Sequence, residues 1–370
     1  MKVLFATVLK PVTDTRVAEK LAPLFFPKAE VHIFGRIISF EKKFPFVFHD
    51  AGIKTRAFRS RWRAQIAFVK TLVRLNPTIV VVGAIELLWI AFCLKKILGF
   101  YLIYDIRENY RRNVRYQNIY PILSKPLLLI WIWITEALSV LFVNEYWLAE
   151  VGYEQELSFF KKKSYKIVEN KFAIYHFFYS PKVPISFKEK PIITFAIVGT
   201  LSETFGTMRA IRFFEEYSRY FAARLFITGM AASKNIYEQV MKLSSQINVI
   251  LNVSEIPISH GVILQTMCSS DIVMLPYMPN KSTQNCIPTK LYECLALGIP
   301  MLLSENLLWE KLIIPHSAGI FTNFLPSDVK NVHQKIIETV FYPKGFVKEA
   351  YFDHDHSFQT HIEKLLCALS

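Results

Sequence analysis

Residues 180–191, SPKVPISFKEKP, place three prolines and three lysines between two apolar stretches, and one pattern repeats on either side. Before it, short β-rich runs at 2–8, 30–34, 78–82 and 101–104 alternate with helical spacing at 66–75 and 85–98. After it, runs at 192–198, 224–228, 248–251, 272–275 and 301–303 alternate with helices in the same way. Strands that take turns with helices build a parallel sheet covered on both faces, and ligands bind beyond the carboxyl ends of its strands. A chain of 370 residues is long enough for two such cores. The expected class is therefore α/β, with two doubly wound, Rossmann-like domains. Residues 1–180 form the first, 181–191 link them, 192–345 form the second, and 346–370 close the chain with a helix returning to the first domain.

The densest chemistry lies in 285–300, NCIPTKLYECLALGIP. Pro288 suits the opening of a helix, and Gly298 followed by Pro300 ends it, so 289–297 reads as about two and a half turns. Lys290 and Glu293 stand three apart on one face near the helix start, where free N–H groups favour an anion such as a pyrophosphate. Lys290 offers a point charge for phosphate, and the Glu293 carboxylate accepts from vicinal ribose hydroxyls. The plainer reading is a surface Lys–Glu pair on an amphipathic helix whose apolar side holds Ile287, Leu291, Leu295 and Ala296.

Other candidates fall after strands. Gly199 and Gly206 bracket a loop, GTLSETFG, in which Thr200 supplies a hydroxyl; both glycines also suit ordinary turns. Asp14 follows the first strand and suits either acid–base work or the cap of a helix over 15–25. Asp105 and Glu108 follow a later strand as further acid–base candidates. Arg107 cannot act as a base near neutral pH, which leaves it a phosphate or acceptor contact, or an ion pair with Glu108. The run Asp353-His354-Asp355-His356 reads as a helix start, because four consecutive residues rarely converge on one metal ion.

These motifs resemble those of the GT-B glycosyltransferases, especially family-four-like members, whose donor segment reads roughly N-x-x-P-x-K-x-x-E-y-l-a-x-G-x-P. Asn285, Pro288, Lys290, Glu293, Ala296, Gly298 and Pro300 match it. Of the two glutamates in the fuller signature, the second corresponds to Glu293 and the first falls on Asn285. The loop from Gly199 keeps the glycines of a G-R-x-x-x-x-K-G-like arrangement, but Thr200 and Phe205 occupy its basic positions. That leaves Lys290, Lys281 or Arg209 to supply the clamp. Tyr104-Asp105-Ile106-Arg107-Glu108 is similar to the family's Y-D-x-H-E element, with Arg107 for histidine. The resemblance spans nearly the whole chain.

It implies two domains facing an interdomain cleft and transfer of a sugar from a UDP- or GDP-sugar to a glycan or lipid-linked acceptor. Retention of configuration and surface polysaccharide as the product are implied with it. The donor would be bound by Gly199, Thr200, Asn285, Lys290, Leu291 and Glu293, with Asp14, Asp105 and Glu108 as the catalytic candidates and Arg107 on the acceptor or phosphate. No metal or other cofactor is implied, since the leaving diphosphate needs only cations and N–H groups.

Charge is unevenly placed. Residues 1–190 hold 30 Lys+Arg against 15 Asp+Glu, and the remainder 14 against 15. The first half is thus expected to meet an anionic membrane surface or an acidic acceptor. The stretch 56–74 interleaves Phe58, Trp62, Ile66 and Val69 with five basic residues from Arg59 on, which suits an interfacial helix as well as a solvated basic one. No helix-turn-helix, zinc finger or aromatic RNA-binding signature points to nucleic acid. Residues 126–143 are almost wholly apolar but interrupted by Glu136, and read as a buried or interfacial helix rather than a span. Five scattered cysteines without a C-x-x-C pair suggest neither disulfides nor zinc and fit a reducing cytoplasm. A non-catalytic GT-B scaffold and a nucleotide-sugar epimerase are the rival readings.

Overall fold

The computed structural model describes residues 1–38, 44–53, 58–116, 120–173, 183–277, 280–281 and 284–369. The first residues of the basic stretch 56–74 and of the expected linker fall outside these. The chain divides into two units, Met1–Tyr175 with Asp355–Ser370, and His176–His354.

The first unit is built on strands β1 (Lys2–Pro11), β2 (Glu30–Arg36), β3 (Val47–Asp50), β4 (Ile79–Val82), β5 (Tyr101–Ile106), β6 (Glu145–Leu148) and β7 (Ser164–Ile167). They pair in the order β3-β2-β1-β4-β5-β6-β7, every pair parallel. The central strands are continuous apolar runs; Ile79-Val80-Val81-Val82 is buried throughout, as a sheet covered on both faces requires. Helices α1 (Phe58–Leu75), α2 (Leu88–Leu98), α3 (Tyr110–Tyr116), α4 (Lys125–Ser139) and the short α5 (Tyr153–Glu156) connect them. After β1 the chain enters a wide-turned helical segment at Arg16–Leu21, then a tight turn at Ala22–Leu24, instead of one regular helix.

The second unit opens with β8 (Ile185–Ser186), inside the expected linker, and β9 (Ile193–Leu201). It continues through α6 (Thr207–Tyr220), β10 (Ala223–Ala231), α7 (Lys234–Met241), β11 (Val249–Ser254), α8 (His260–Cys268), β12 (Ile272–Leu275), α9 (Thr289–Leu297), β13 (Met301–Leu303), α10 (Leu307–Ile313), β14 (Gly319–Phe321), α11 (Val329–Glu338) and β15 (Val340–Phe341). Six of these strands form a parallel sheet in the order β11-β10-β9-β12-β13-β14. Strands β8 and β15 make a small antiparallel pair. In both sheets the order reverses beside the first long strand, β1/β4 and β9/β12, and a doubly wound sheet binds ligands at such a switch point.

The chain closes with α12 (His356–Leu369), which packs on the first unit. The Phe358 ring meets Trp147 edge-on with centroids 5.2 Å apart. His361 Nε2 lies 2.7 Å from Glu145 Oε1. Asp355 opens this helix, its Oδ1 accepting from the Phe358 amide at 3.1 Å. Residues 346–354 cluster with the second unit, so the return begins about ten residues later than the sequence boundary of 346.

Candidate functional site

In the second unit the carboxyl end of β9 is shaped by glycine. Gly199 has φ +99, and a side chain on Gly229, its register partner on β10, would strike the Gly199 carbonyl oxygen at 1.9 Å. Gly206, at the mouth of α6, has φ +70, and a Cβ there would meet the Pro276 oxygen at 2.1 Å. These glycines are therefore more than loose turn residues: the loop can lie against the end of β12 because Gly206 carries no side chain, and the bare Gly229 leaves room for the Gly199 carbonyl. Thr200 is exposed beside Gly199. Ser202 and Thr207 close the loop, the Ser202 amide donating to Thr207 Oγ1 at 2.9 Å. Phe205 packs edge-on against Tyr277, centroids 5.2 Å apart, and so lines the loop with aromatic surface where a cation was expected.

Helix α9 follows its punctuation, starting after Pro288 and ending at Gly298 with φ +62. Its Lys–Glu pair differs from a surface pair in burial. The Glu293 side chain is 7% exposed and that of Lys290 12%. Lys290 Nζ donates to Glu293 Oε2 at 2.6 Å. The other carboxylate oxygen, Oε1, lies 3.1 Å from Nε2 of His260, the first residue of α8. Burial alone would raise the Glu293 carboxyl, but the Lys290 and His260 charges and hydrogen bonds overcome it and bring the pKa down to about 2. The site thus holds an anion fixed between two nitrogen donors. A Cβ built on Gly199 would stand 3.5 Å from Lys290 Cε, so the lysine stem passes over the glycine loop.

The approach to α9 is pinned from α10. Trp309 Nε1 donates to the Cys286 carbonyl at 2.9 Å, and Asn306 Nδ2 to that of Gln284 at 3.1 Å. Asn285, between them, is exposed ahead of the helix. Leu291, grouped with the donor residues by its motif position, is wholly buried; its side chain belongs to the core and cannot line a ligand. Of the substitute clamps, Arg209 donates to the Asn323 carbonyl and lies 5.9 Å over Phe324. Lys281 is exposed. Lys290 is the candidate that the fold joins to Gly199 and Glu293.

His260 was not singled out in the sequence. Its signal is positional: it opens the helix after β11, beyond a strand's carboxyl end, where the topology expects ligand contacts.

The first unit gathers a second charged cluster at its own switch point. Asp105 is 0% exposed and lies between two guanidinium groups. Arg16 donates to it through Nη2 at 2.6 Å and Nε at 3.0 Å, and Arg107 through Nε at 2.8 Å. Burial opposes ionisation, yet the two arginines hold the carboxyl below the usual aspartate range. A carboxylate that is fully enclosed and paired with two arginines that favour its ionised form is a poor proton acceptor, so the acid–base role expected of Asp105 gives way to a positioning one. Arg107 Nη1 continues to Asp14 Oδ1 at 3.2 Å. The Asp14 carboxylate therefore meets Arg107, while its backbone carbonyl accepts from the Val17 and Ala18 amides at 3.0 and 2.8 Å. Gly83 leaves the room: a Cβ there would lie 2.7 Å from Arg107 Nε. Glu108 points elsewhere, exposed and accepting from Asn113 Nδ2 at 3.0 Å, and makes no pair with Arg107. Arg16, which sequence reasoning missed, also donates to the Val168 carbonyl at 2.7 Å.

No protein-family model matches the chain, and no curated protein matches its sequence. Solved structures match it end to end. Sucrose-phosphate synthase from Thermosynechococcus elongatus aligns over 100% of this chain and 99% of its own, with a TM-score of 0.67 at 13% identity. WaaG, a glycosyltransferase involved in lipopolysaccharide biosynthesis, aligns over 100% of both chains at a TM-score of 0.64 and 15% identity. HepE of Anabaena in complex with UDP-glucose does so at 0.65 and 11%. At such identities the likeness is one of fold. The chain has the GT-B fold, its two parallel sheets being the two Rossmann-like units of that architecture.

Proposed function

We propose that the protein is a glycosyltransferase whose second unit binds a UDP- or GDP-sugar at the carboxyl ends of β9 and β12. The observation that carries this reading is Glu293, ionised and held by Lys290 and His260 beside the Gly199 loop. An acceptor anion fixed in place suits vicinal ribose hydroxyls, and a lysine one turn earlier suits the diphosphate. On binding, Lys290 exchanges the carboxylate for phosphate while the ribose takes up Oε2; His260 keeps the other oxygen fixed throughout. The fold neighbour HepE, solved with UDP-glucose, supports this class of donor.

Departure of the nucleoside diphosphate builds negative charge on phosphate, which Lys290 and the free N–H groups opening α9 oppose. No residue here needs a metal to do so. In the first unit Arg107, enclosed and paired with Asp14 and Asp105, positions the half-buried Asp14 carboxylate at the outer end of the Asp14–Arg107–Asp105–Arg16 chain for the acceptor. The acceptor class is a glycan or lipid-linked saccharide destined for surface polysaccharide, met at the cytoplasmic face of a membrane. The basic bias of residues 1–190 supports that setting.

The same fold occurs in a putative UDP-N-acetylglucosamine 2-epimerase from Listeria monocytogenes, at a TM-score of 0.60. Release of nucleoside diphosphate from a panel of nucleotide sugars, with and without glycan and lipid-linked acceptors, separates the readings. Acceptor-dependent release is expected. Interconversion of the donor without acceptor identifies an epimerase, and binding without turnover a non-catalytic protein.

A further inference from the structure

Helix α4 carries its polarity the wrong way round for a helix in water. Its buried stripe is Ile132, Thr135, Glu136 and Ser139, three of four polar, and each polar group is tied to its own unit. Trp89 Nε1 donates to Thr135 Oγ1 at 3.0 Å, Arg111 Nε lies 2.9 Å from Glu136 Oε2, and Ser139 Oγ is 2.8 Å from Tyr146 Oη. The outward side of the helix is apolar, as is the turn Ile122–Ser124 that leads into it. Leu123 is 92% exposed, Leu127 73% and Trp133 58%, with Ile122, Ile130 and Leu138 also exposed. A soluble helix hides its apolar stripe and shows its polar one. An uncovered apolar face of this size marks an interaction surface.

The stretch Ile122–Ser139 is long and apolar enough to cross a membrane by length and composition, and only 22% of it is buried. Crossing is opposed by its attachments, since Thr135, Glu136 and Ser139 tie its C-terminal turns to the first unit. The regular helix, 15 residues, reaches only about 22 Å against a hydrocarbon core of about 30 Å. Charge identifies what covers the face. Between residues 122 and 141 the charged residues are Lys125 and the inward-facing Glu136, so no acidic side chain is shown. Arg115 is exposed at the end of α3, and Lys125 Nζ reaches its carbonyl at 3.4 Å, placing two cations at one end of the apolar face. Helix α2, which packs on both α1 and α4, exposes Ile97. Helix α1 in turn shows Trp62, Ile66 and Val73 among Arg59, Arg63, Lys70 and Arg74. Tryptophan, leucine and rimming cations are the chemistry of the boundary between acyl chains and anionic headgroups.

We infer that α4 lies in the plane of an anionic lipid bilayer, its outer face inserted at the headgroup boundary, and docks the first unit there as a monotopic anchor. This builds on the membrane-facing part of the proposed function and is independent of the donor site. The test is co-flotation of the full chain with vesicles of phosphatidylcholine alone or mixed with phosphatidylglycerol, comparing wild type with the triple variant Leu123→Ser, Leu127→Ser, Trp133→Ser. All three side chains are exposed, so folding is spared, which melting temperature checks. Removing three inserted apolar side chains is expected to weaken partitioning about a hundredfold or more. A second variant, Arg115→Glu with Lys125→Glu, is expected to lose the preference for phosphatidylglycerol while keeping residual binding. Nucleotide-induced thermal stabilisation should be the same in all three proteins, so failure of the anchor and failure of the donor site read out separately. Equal flotation of wild type and triple variant would overturn the inference. So would absence of flotation by wild type, or a wild-type dimer that the serines convert to monomer, which would make the face a self-interface.

Discussion

Lys290 Nζ donates to Glu293 Oε2 across 2.6 Å, one helical turn along α9, and both side chains are largely shut off from solvent. A buried pair of this kind is costly to break from one side, because the partner left behind keeps its charge without a counter-ion. His260 takes the second oxygen, so the carboxylate keeps a partner on each side.

Glu293 therefore makes stability depend on acid. Its folded pKa of about 2 lies below the ordinary 4.5, so its contribution is complete above about pH 4.5 and is lost as pH falls towards 2. Its full size is on the order of 3 kcal/mol. Denaturant titrations of wild type and Glu293→Gln should differ most near neutrality and converge in acid. Parallel curves at all pH values would show that the carboxylate is not held as described.

Asp105→Asn leaves Arg16 and Arg107 enclosed without their shared anion. A loss of about 3–5 kcal/mol is expected from urea unfolding, with nucleotide-induced stabilisation unchanged because the cluster lies in the other unit. A fully stable variant would contradict the positioning role assigned to Asp105.

Gly206→Ala tests the glycine loop. With φ +70 and the Pro276 oxygen 2.1 Å from any Cβ, the substitution should cost at least about 2 kcal/mol and loosen the loop over β12. Thermal melting reads the cost. Gly345, with φ +95 but no atom within 4 Å of its Cβ, is the control and should lose less. Equal losses at both sites would mean that close approach adds nothing to the backbone term.

Glu136 behaves in the opposite sense to Glu293. Burial pushes its carboxyl up to about 7 despite Arg111. A folded value above the ordinary 4.5 means that its contribution is fully present below about pH 4.5 and is lost as pH rises through 7. Glu136→Gln should accordingly raise the melting temperature near pH 8 and leave it almost unchanged near pH 4. Destabilisation at the higher pH would show that the Arg111 pair outweighs the burial cost.

Much of the fold was legible because its signals are local. Pro288 and Gly298 bound α9 by fixed backbone chemistry, and the runs 78–82 and 272–275 appear as β4 and β12. Short strands such as β3 and β14 were missed, since three or four residues carry too little periodicity and form through their neighbours in the sheet. The site divides along the same line. Lys290 and Glu293 share a helix, so their contact followed from spacing. His260 stands 33 residues from Glu293 and Arg16 stands 89 from Asp105, and only the sheets bring them together. The outward apolar face of α4 was hidden for a related reason: composition gives how apolar a helix is, whereas only packing gives which stripe faces inward.

Isothermal titration of UDP and GDP into wild type, Lys290→Met and Glu293→Gln is the most direct test of the donor site. Wild type should bind one of the two, with Lys290→Met weakened about tenfold or more through lost phosphate contact and Glu293→Gln weakened through the ribose. Binding that is absent from wild type, or that is the same in all three proteins, would contradict the account.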